Sequence, residues 1–311
     1  MPPLVAWAVT TGEAGMRTQA RGLAAAVAEL VVEKTVGAPS LWPWRNATAG
    51  DNFAPPYPDL IVSCGRRAAP RAIAAKRASG GRALIVHVQD PRAHRAAFDL
   101  IVAMDHDRPA AGGNVVKVST ALHDLTAEAL AGAGRDWLNR FSGLPRPLTG
   151  VLIGGDVKGR RFSSRDAQVL IAMLARLRAA GGLALVPSRR TPPAVLAALE
   201  AAFAGDTGVF VWNREGDNPY RAVLALTDRL VVTGDSVSMI SEAVSTPLPV
   251  EVFDLGIARY GDFIAGLVGS GRVRRFAGDP TPPPAGDPIN ATRTAADAVR
   301  ALLQARTGVS G

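Results

Sequence analysis

The 311 residues are long for a single hydrophobic core and sufficient for two domains, and 48% of them are hydrophobic. No apolar run approaches the ~20 residues that cross a bilayer, which excludes a transmembrane helix. The opening MPPLVAWAVTTG has no basic region ahead of its apolar run, which argues against a secretory signal, and the single Cys64 excludes an internal disulfide and fits a reducing compartment such as the cytoplasm.

The formal charge of +8 rests on 35 basic residues, all but four of them Arg, scattered among only 5% aromatics. Single-stranded nucleic-acid binders interleave the two kinds, so an anionic ligand or an acidic membrane surface is the better expectation.

In chain order, apolar strand-like runs alternate with Ala-rich helical stretches. The pattern predicts a strand at 4–9, a helix at 16–33, a strand at 59–63, a helix at 68–79, and strands at 83–89, 100–104 and 115–118. A helix follows at 124–141. SGLPRPLT (142–149) then breaks the pattern, and its Pro and Gly suit a linker.

The alternation restarts with strands at 150–154, 183–187, 208–213, 229–232 and 249–253. Between them lie helices at 164–180, 192–203, 220–226 and 236–244. Alternation of this kind implies right-handed crossovers and parallel sheets. The expected fold is therefore α/β, two doubly wound, Rossmann-like domains facing a cleft. Residues 1–145 form the first and 146–280 the second. Residues 281–311 are a Pro-rich segment and a helix (290–306), with Asn290 and Thr292 as cap candidates.

Ligands in open parallel sheets sit beyond the carboxyl ends of the strands, near helix N-termini. Four loops of the second half fall there. VLIGGDVKGRRFS carries Gly154, Gly155 and Lys158; glycines let backbone approach a ligand and the cations suit phosphate. Its Gly154 and Gly159 have P-loop spacing, but Arg160-Arg161 replace the Lys-Ser/Thr that a nucleoside triphosphate and Mg²⁺ require.

LVPSRRTPP carries Ser188, Arg189, Arg190 and Thr191, and a guanidinium is a natural diphosphate partner. VFVWNREGDNPY carries Trp212, either core or a base-stacking platform, with Asn218 and Tyr220 at a helix start. VVTGDSVSMISEA carries Asp235, Ser236, Ser238, Met239 and Glu242; Glu242 could accept from sugar hydroxyls, while Asp235 or Ser236 equally fits a plain N-cap. Each loop alone is ordinary. Four along one sheet edge suit a nucleoside diphosphate.

The first half offers TTGEAGMRTQ (Gly12, Gly15, Gln19), CGRR (Arg66, Arg67), HVQDPR (Asp90) and MDHD (Asp105, His106). Asp90, Asp105 and His106 are the candidate general bases; the alternative for each is a plain helix cap. The four histidines show no metal-ligand spacing, no Gly-x-Ser-x-Gly elbow is present, and no GxGxxG opens the first helix. No metal or resident cofactor is expected.

These motifs, with FDLIVAMDHD, occur in an order that resembles the mitochondrial-fission "elongated mitochondria" family from about residue 10 to 251; TGDSVSMISEA is the most specific of them. The resemblance implies a GT-B fold like that of glycosyltransferases acting on lipid-linked acceptors. The C-terminal domain would hold the nucleotide sugar, the N-terminal domain would be the acceptor side, and a final helix would cross back to it. It also implies that Glu242 holds the ribose and that Gly154-Gly155 with Ser236 and Ser238 meet the diphosphate.

Some sequences of this kind are grouped with nucleotide-sugar epimerases, and plant members are named for recruiting a fission dynamin. This chain shows no transit segment, and its Arg/Ala-rich composition looks bacterial. The expectation is a metal-independent glycosyltransferase, cytoplasmic or peripheral at the inner membrane. It would move a sugar from a nucleotide-diphosphate donor to a lipid-linked or cell-envelope acceptor. The alternatives are a non-catalytic scaffold using RVRR (Arg272–Arg275) and the Pro-rich tail as contact surface, and an epimerase.

Overall fold

The computed structural model describes residues 2–37, 50–107, 109 and 112–308. The chain opens with β1 (Val5–Thr10), α1 (Ala14–Val27), β2 (Leu30–Thr35), β3 (Leu60–Cys64), α2 (Ala69–Ala78), β4 (Leu84–Val88), β5 (Leu100–Met104) and β6 (Val115–Val118). It continues with α3 (Ala127–Phe141), β7 (Leu148–Ile153), α4 (Ser164–Arg178), β8 (Gly182–Pro187), α5 (Pro193–Ala202), β9 (Val209–Val211) and α6 (Tyr220–Leu226). The last elements are β10 (Arg229–Thr233), α7 (Val237–Val244), β11 (Val250–Phe253), α8 (Ala258–Gly269), β12 (Arg274–Arg275) and α9 (Ala291–Gly308).

The described residues form two six-stranded sheets, ordered β2-β1-β3-β4-β5-β6 and β12-β11-β10-β7-β8-β9. Every strand pairing is parallel. Central strands β3, β4, β7 and β8 are buried along their whole length, as near-continuous apolar runs between two helical layers require.

Two compact units result: Met1–Asp124 with Asn290–Gly311, and Leu125–Ile289. The break expected at 142–149 does not separate them; the boundary falls before α3. The reason is burial. Trp137 and Phe141 of α3 meet Phe210 of β9 at ring distances of 5.9 and 5.3 Å inside the second unit's core.

Helix α9 belongs to the first unit, where Ala291, Ala295, Ala296 and Val299 form one buried stripe beside α1. Asn290 caps it through the Arg293 N–H at 3.0 Å. Thr292, expected as a cap, instead bridges the backbone of His123, accepting from its N–H at 2.8 Å and donating to its oxygen at 2.9 Å.

Two further elements differ from the sequence reading. The helix expected at 16–33 stops at Val27, because the β-branched run after it pairs with β1 in register from Val5↔Leu30 to Thr10↔Thr35. Helix α8 was missed because Gly261, Gly266 and Gly269 mask its propensity, yet Phe263, Ile264 and Leu267 give it a buried face.

The three arginines of RVRR are all engaged by the chain itself. Arg272 donates to the carbonyls of Val244, Thr246 and Leu248, and Arg275 pairs with Asp254. Arg274 and the buried Arg229 converge on the fully buried Glu251 and hold the backbone oxygens of Asp279, Pro280 and Thr281, so the Pro-rich segment is strapped to the sheet.

Candidate functional site

The second sheet changes direction between β7 and β10, and such a switch point normally leaves a crevice for ligand at the carboxyl ends of the strands. Here the chain fills that place itself. The carboxylate of Asp235 is fully buried; it accepts the Gly155 N–H at 2.8 Å and the Thr233 hydroxyl at 2.6 Å, and it pairs with Arg190 at 3.0 Å. The Thr233 hydroxyl accepts the Gly154 N–H at 2.7 Å.

A Cβ at Gly154 would overlap the Asp235 carboxylate, and one at Gly155 would overlap the Arg190 carbonyl. The glycines expected to admit a ligand therefore admit Asp235 and the β8–α5 loop. Their N–H groups are already satisfied.

The neighbouring arginines of SRRTP part ways. Arg190 turns inward to Asp235 and to the backbone oxygen of Asp156 at 3.2 Å. Arg189 is exposed, lines a cavity of about 440 Å³, and has no hydrogen-bond or ion-pair partner among the described residues. That volume lies within the ~300–1,000 Å³ common for small-molecule sites.

Its wall comes from three places: Val186, Pro187 and Ser188 at the end of β8; Trp212, Arg214, Gly216 and Asn218 after β9; and Tyr220 and Met239 on α6 and α7. Among these residues there are two guanidiniums, an indole and no carboxylate.

Several wall residues are fixed by their own contacts. Trp212 packs against the core and donates its Nε1–H to the Glu215 oxygen at 2.9 Å. Asn218 accepts the Tyr220 N–H at 3.0 Å, opening α6. Ser188 accepts the Arg190 N–H at 3.2 Å, and Thr191 is buried, with its hydroxyl donating to the Ile153 oxygen at 3.0 Å. Tyr220 donates its hydroxyl to Glu242, which lies half-buried one turn after Met239 on α7. Ser236 caps α7, accepting the Met239 N–H at 3.3 Å; Ser238 is half-buried in its first turn. Lys158 is exposed and is not part of the cavity wall.

Sequence reasoning singled out Trp212, Asn218 and Tyr220 of their loop but passed over Arg214. It sits in left-handed backbone (φ 71°), as does Gly216 (φ 66°). An L residue held there costs on the order of 1–2 kcal/mol. Arg214 next to Gly216, directly after a strand, was the legible hint of a tight turn aiming a side chain.

In the first unit, Asp90 is committed to its own loop: it accepts the Arg92 N–H at 2.8 Å and pairs with Arg95 at 2.5 Å. Asp105 is exposed and His106 half-buried in a 3-10 turn after β5, with His106 3.8 Å from Asp107. Gln19 is buried and bonds the Gly15 oxygen at 3.2 Å within α1, while Gly12 (φ 95°) makes the turn into that helix. Arg67 pairs with Glu13 at 3.0 Å, which, after the Thr11 hydroxyl, helps hold that carboxyl below its usual range. Arg66 is exposed.

Cys64 is buried, and burial pushes its thiol well above the usual range, so it is packing rather than nucleophile. Among the described residues no three His, Cys, Asp or Glu cluster as a metal would need, and no helix is long and apolar enough to cross a membrane.

The two parallel α/β units with a ligand-sized cavity at a strand-end edge define a GT-B-like protein. The fold is shared with a UDP-GlcNAc 2-epimerase from Methanocaldococcus jannaschii, at TM-score 0.60 and 10% identity, covering 96% of this chain and 99% of that one. A second UDP-GlcNAc 2-epimerase, from Neisseria meningitidis and bound to UDP-GlcNAc, matches at TM-score 0.55 and 11% identity, again covering 96% and 99%. At such identities the likeness carries the fold alone.

The chain belongs to the mitochondrial fission ELM1 family, whose model matches residues 14–303. The mitochondrial fission protein ELM1 of Arabidopsis thaliana is 30% identical to it over 80% of this chain, and the match spans 65% of that relative's length.

Proposed function

We propose that the second unit binds the nucleoside diphosphate of a nucleotide sugar in the cavity beyond β8 and β9. In this reading the chain transfers the sugar to a lipid-linked or cell-envelope acceptor, working at the cytoplasmic membrane surface. The observation that carries it is the wall itself: the unpartnered Arg189 guanidinium beside the Trp212 indole and the Tyr220 phenol, with that phenol bonded to Glu242. A cation suits phosphate and a π face suits a base; the Glu242 carboxylate, behind the wall and bonded to the Tyr220 hydroxyl, would be the partner for ribose hydroxyls.

Arg189, rather than Arg190 or Lys158, would stabilise the charge that grows on the departing diphosphate, since a preorganised cation is the usual means. Of the first unit's candidate general bases, Asp105 and His106 stay eligible, and Asp90 is the weaker choice because Arg95 already holds it.

A second enzymatic reading is a nucleotide-sugar epimerase, favoured by the names of the solved structures that share the fold. The family's name supports a third, a scaffold that kept the fold without turnover.

A thermal-shift screen with UDP, GDP, ADP, CDP and TDP and their sugars separates these. Binding at about 100 times Kd adds about 2.7 kcal/mol, a rise of several degrees in Tm. Arg189→Gln and Glu242→Ala should each remove most of that rise. Sugar release only with a lipid acceptor supports transfer; interconversion of the sugar alone supports epimerisation. A flat response to every nucleotide, with a stable protein partner recovered, supports the scaffold.

A further inference from the structure

The wall of this cavity holds a second cation. A terminal nitrogen of Arg214 donates to the backbone oxygen of Thr191, two residues beyond Arg189. The guanidinium is thus docked on the very loop that presents Arg189, by way of the left-handed turn at Arg214 and Gly216. Its Nε is buried without a hydrogen-bond partner. Neither arginine has an ion-pair partner among the described residues, and no carboxylate lines the cavity.

Arg190, between Arg189 and Thr191, is neutralised by Asp235; these two are not. Like charges held around one cavity repel each other, and an anion touching both relieves the repulsion. One phosphate can satisfy one planar fork; two linked phosphates can satisfy two.

We infer that Arg189 and Arg214 form a two-cation clamp that selects a nucleoside diphosphate over the corresponding monophosphate, with Arg214 as the specificity-determining residue. The inference rests on the nucleotide-sugar reading of the cavity. The monophosphate engages one guanidinium and leaves the other uncompensated, whereas the diphosphate engages both. The bond to Thr191 uses one donor of Arg214 and fixes the plane of the fork, leaving other donors for phosphate oxygens. A lysine there keeps the charge but cannot serve the carbonyl and the phosphate in one plane.

The test is isothermal titration of the full chain with UDP, GDP, ADP, CDP and TDP and with each matching monophosphate. It uses the wild type, Arg214→Gln, Arg214→Lys and Arg189→Gln, and checks each variant's unliganded melting for folding. A charged hydrogen bond lost from a ligand costs about tenfold to hundredfold in affinity.

The wild type should prefer the diphosphate of its base by at least that factor. Arg214→Gln should weaken the diphosphate by it and leave the monophosphate within about threefold, so the ratio collapses. Arg214→Lys should fall between. Equal loss for both ligands, no loss for either, or a wild type indifferent to the second phosphate overturns the clamp while the nucleotide reading stands. A wild type that binds none of the nucleotides overturns both.

Discussion

The carboxylate of Asp235 lies 3.0 Å from the guanidinium of Arg190 and is itself fully buried, while the arginine remains 43% exposed. This pair, with the Gly155 N–H and the Thr233 hydroxyl on the same carboxylate, joins the ends of β7, β8 and β10. It explains why two adjacent arginines differ: one is spent on the fold, and the other is left at the cavity.

Asp235→Asn should therefore act on the protein without any ligand present. It removes the charge from a buried group that serves several donors, while the solvent-screened Arg190 limits the loss, so about 1–3 kcal/mol is expected. Urea denaturation reads it; a midpoint equal to the wild type's would show that the tie is not structural.

Gly154→Ala and Gly155→Ala should also destabilise the unliganded chain. Their added methyls meet the Asp235 carboxylate and the Arg190 carbonyl. Overpacking against groups that cannot yield costs roughly 1–3 kcal/mol or more. If the glycines served ligand approach alone, unliganded melting would stay put and only nucleotide binding would fall.

Glu251→Gln breaks a different centre. Glu251 is fully buried between Arg229, itself nearly buried, and Arg274. Leaving a buried guanidinium half-paired costs about 3–5 kcal/mol. The carbonyls of Asp279 and Pro280 lose a well-held partner at the same time, so proteolysis within the Pro-rich segment should speed up. Unchanged melting and unchanged cleavage would contradict this account of the strap.

Tyr220→Phe keeps the ring in the wall and deletes the hydroxyl that bonds Glu242. Under the proposed function, nucleotide diphosphate affinity should drop about threefold to tenfold, a neutral-to-charged hydrogen bond's worth. The drop should be smaller for 2′-deoxynucleotides, which offer Glu242 less. Calorimetry with both sugars checks it, and an equal loss for the two would mean that Tyr220 does not act through the carboxylate.

The acid limb of stability should carry the mark of His87. Burial among β3, β4 and Phe98 pushes its pKa down to about 4 from the ordinary 6.5, so the folded imidazole stays neutral. Its Nδ1 meets the Ser63 hydroxyl at 2.8 Å. Between pH 6.5 and 4 the unfolded chain binds a proton that the folded chain refuses. Stability is thus complete above pH 6.5 and declines as pH falls toward 4, by up to about 3 kcal/mol. A His87→Gln variant should flatten that limb in a melting-versus-pH series; a slope identical to the wild type's would assign the acid sensitivity elsewhere.

The alternation of apolar runs and Ala-rich stretches was enough for most elements of both sheets. β5, β6 and α6 lie at the residues their periodicity indicates. Two failures share a cause. β2 reads as the tail of α1, and α8 hides behind three glycines, because each is held by a neighbour rather than by its own propensity. The unit boundary failed likewise: SGLPRPLT looks like a linker, and only Trp137 against Phe210 shows that α3 belongs to the second unit.

The site divides along the same line. Residue types and their position at strand ends can be read from the chain itself, since strand periodicity and turn chemistry act over a few residues. Which arginine stays available cannot. Arg189 and Arg190 are indistinguishable until β10 delivers Asp235 beside one of them, and Arg214 gains its place only by reaching Thr191 from the next strand. Charge pairing across crossover connections depends on which strand ends the sheet sets side by side, and that information is spread over some 80 residues of intervening chain.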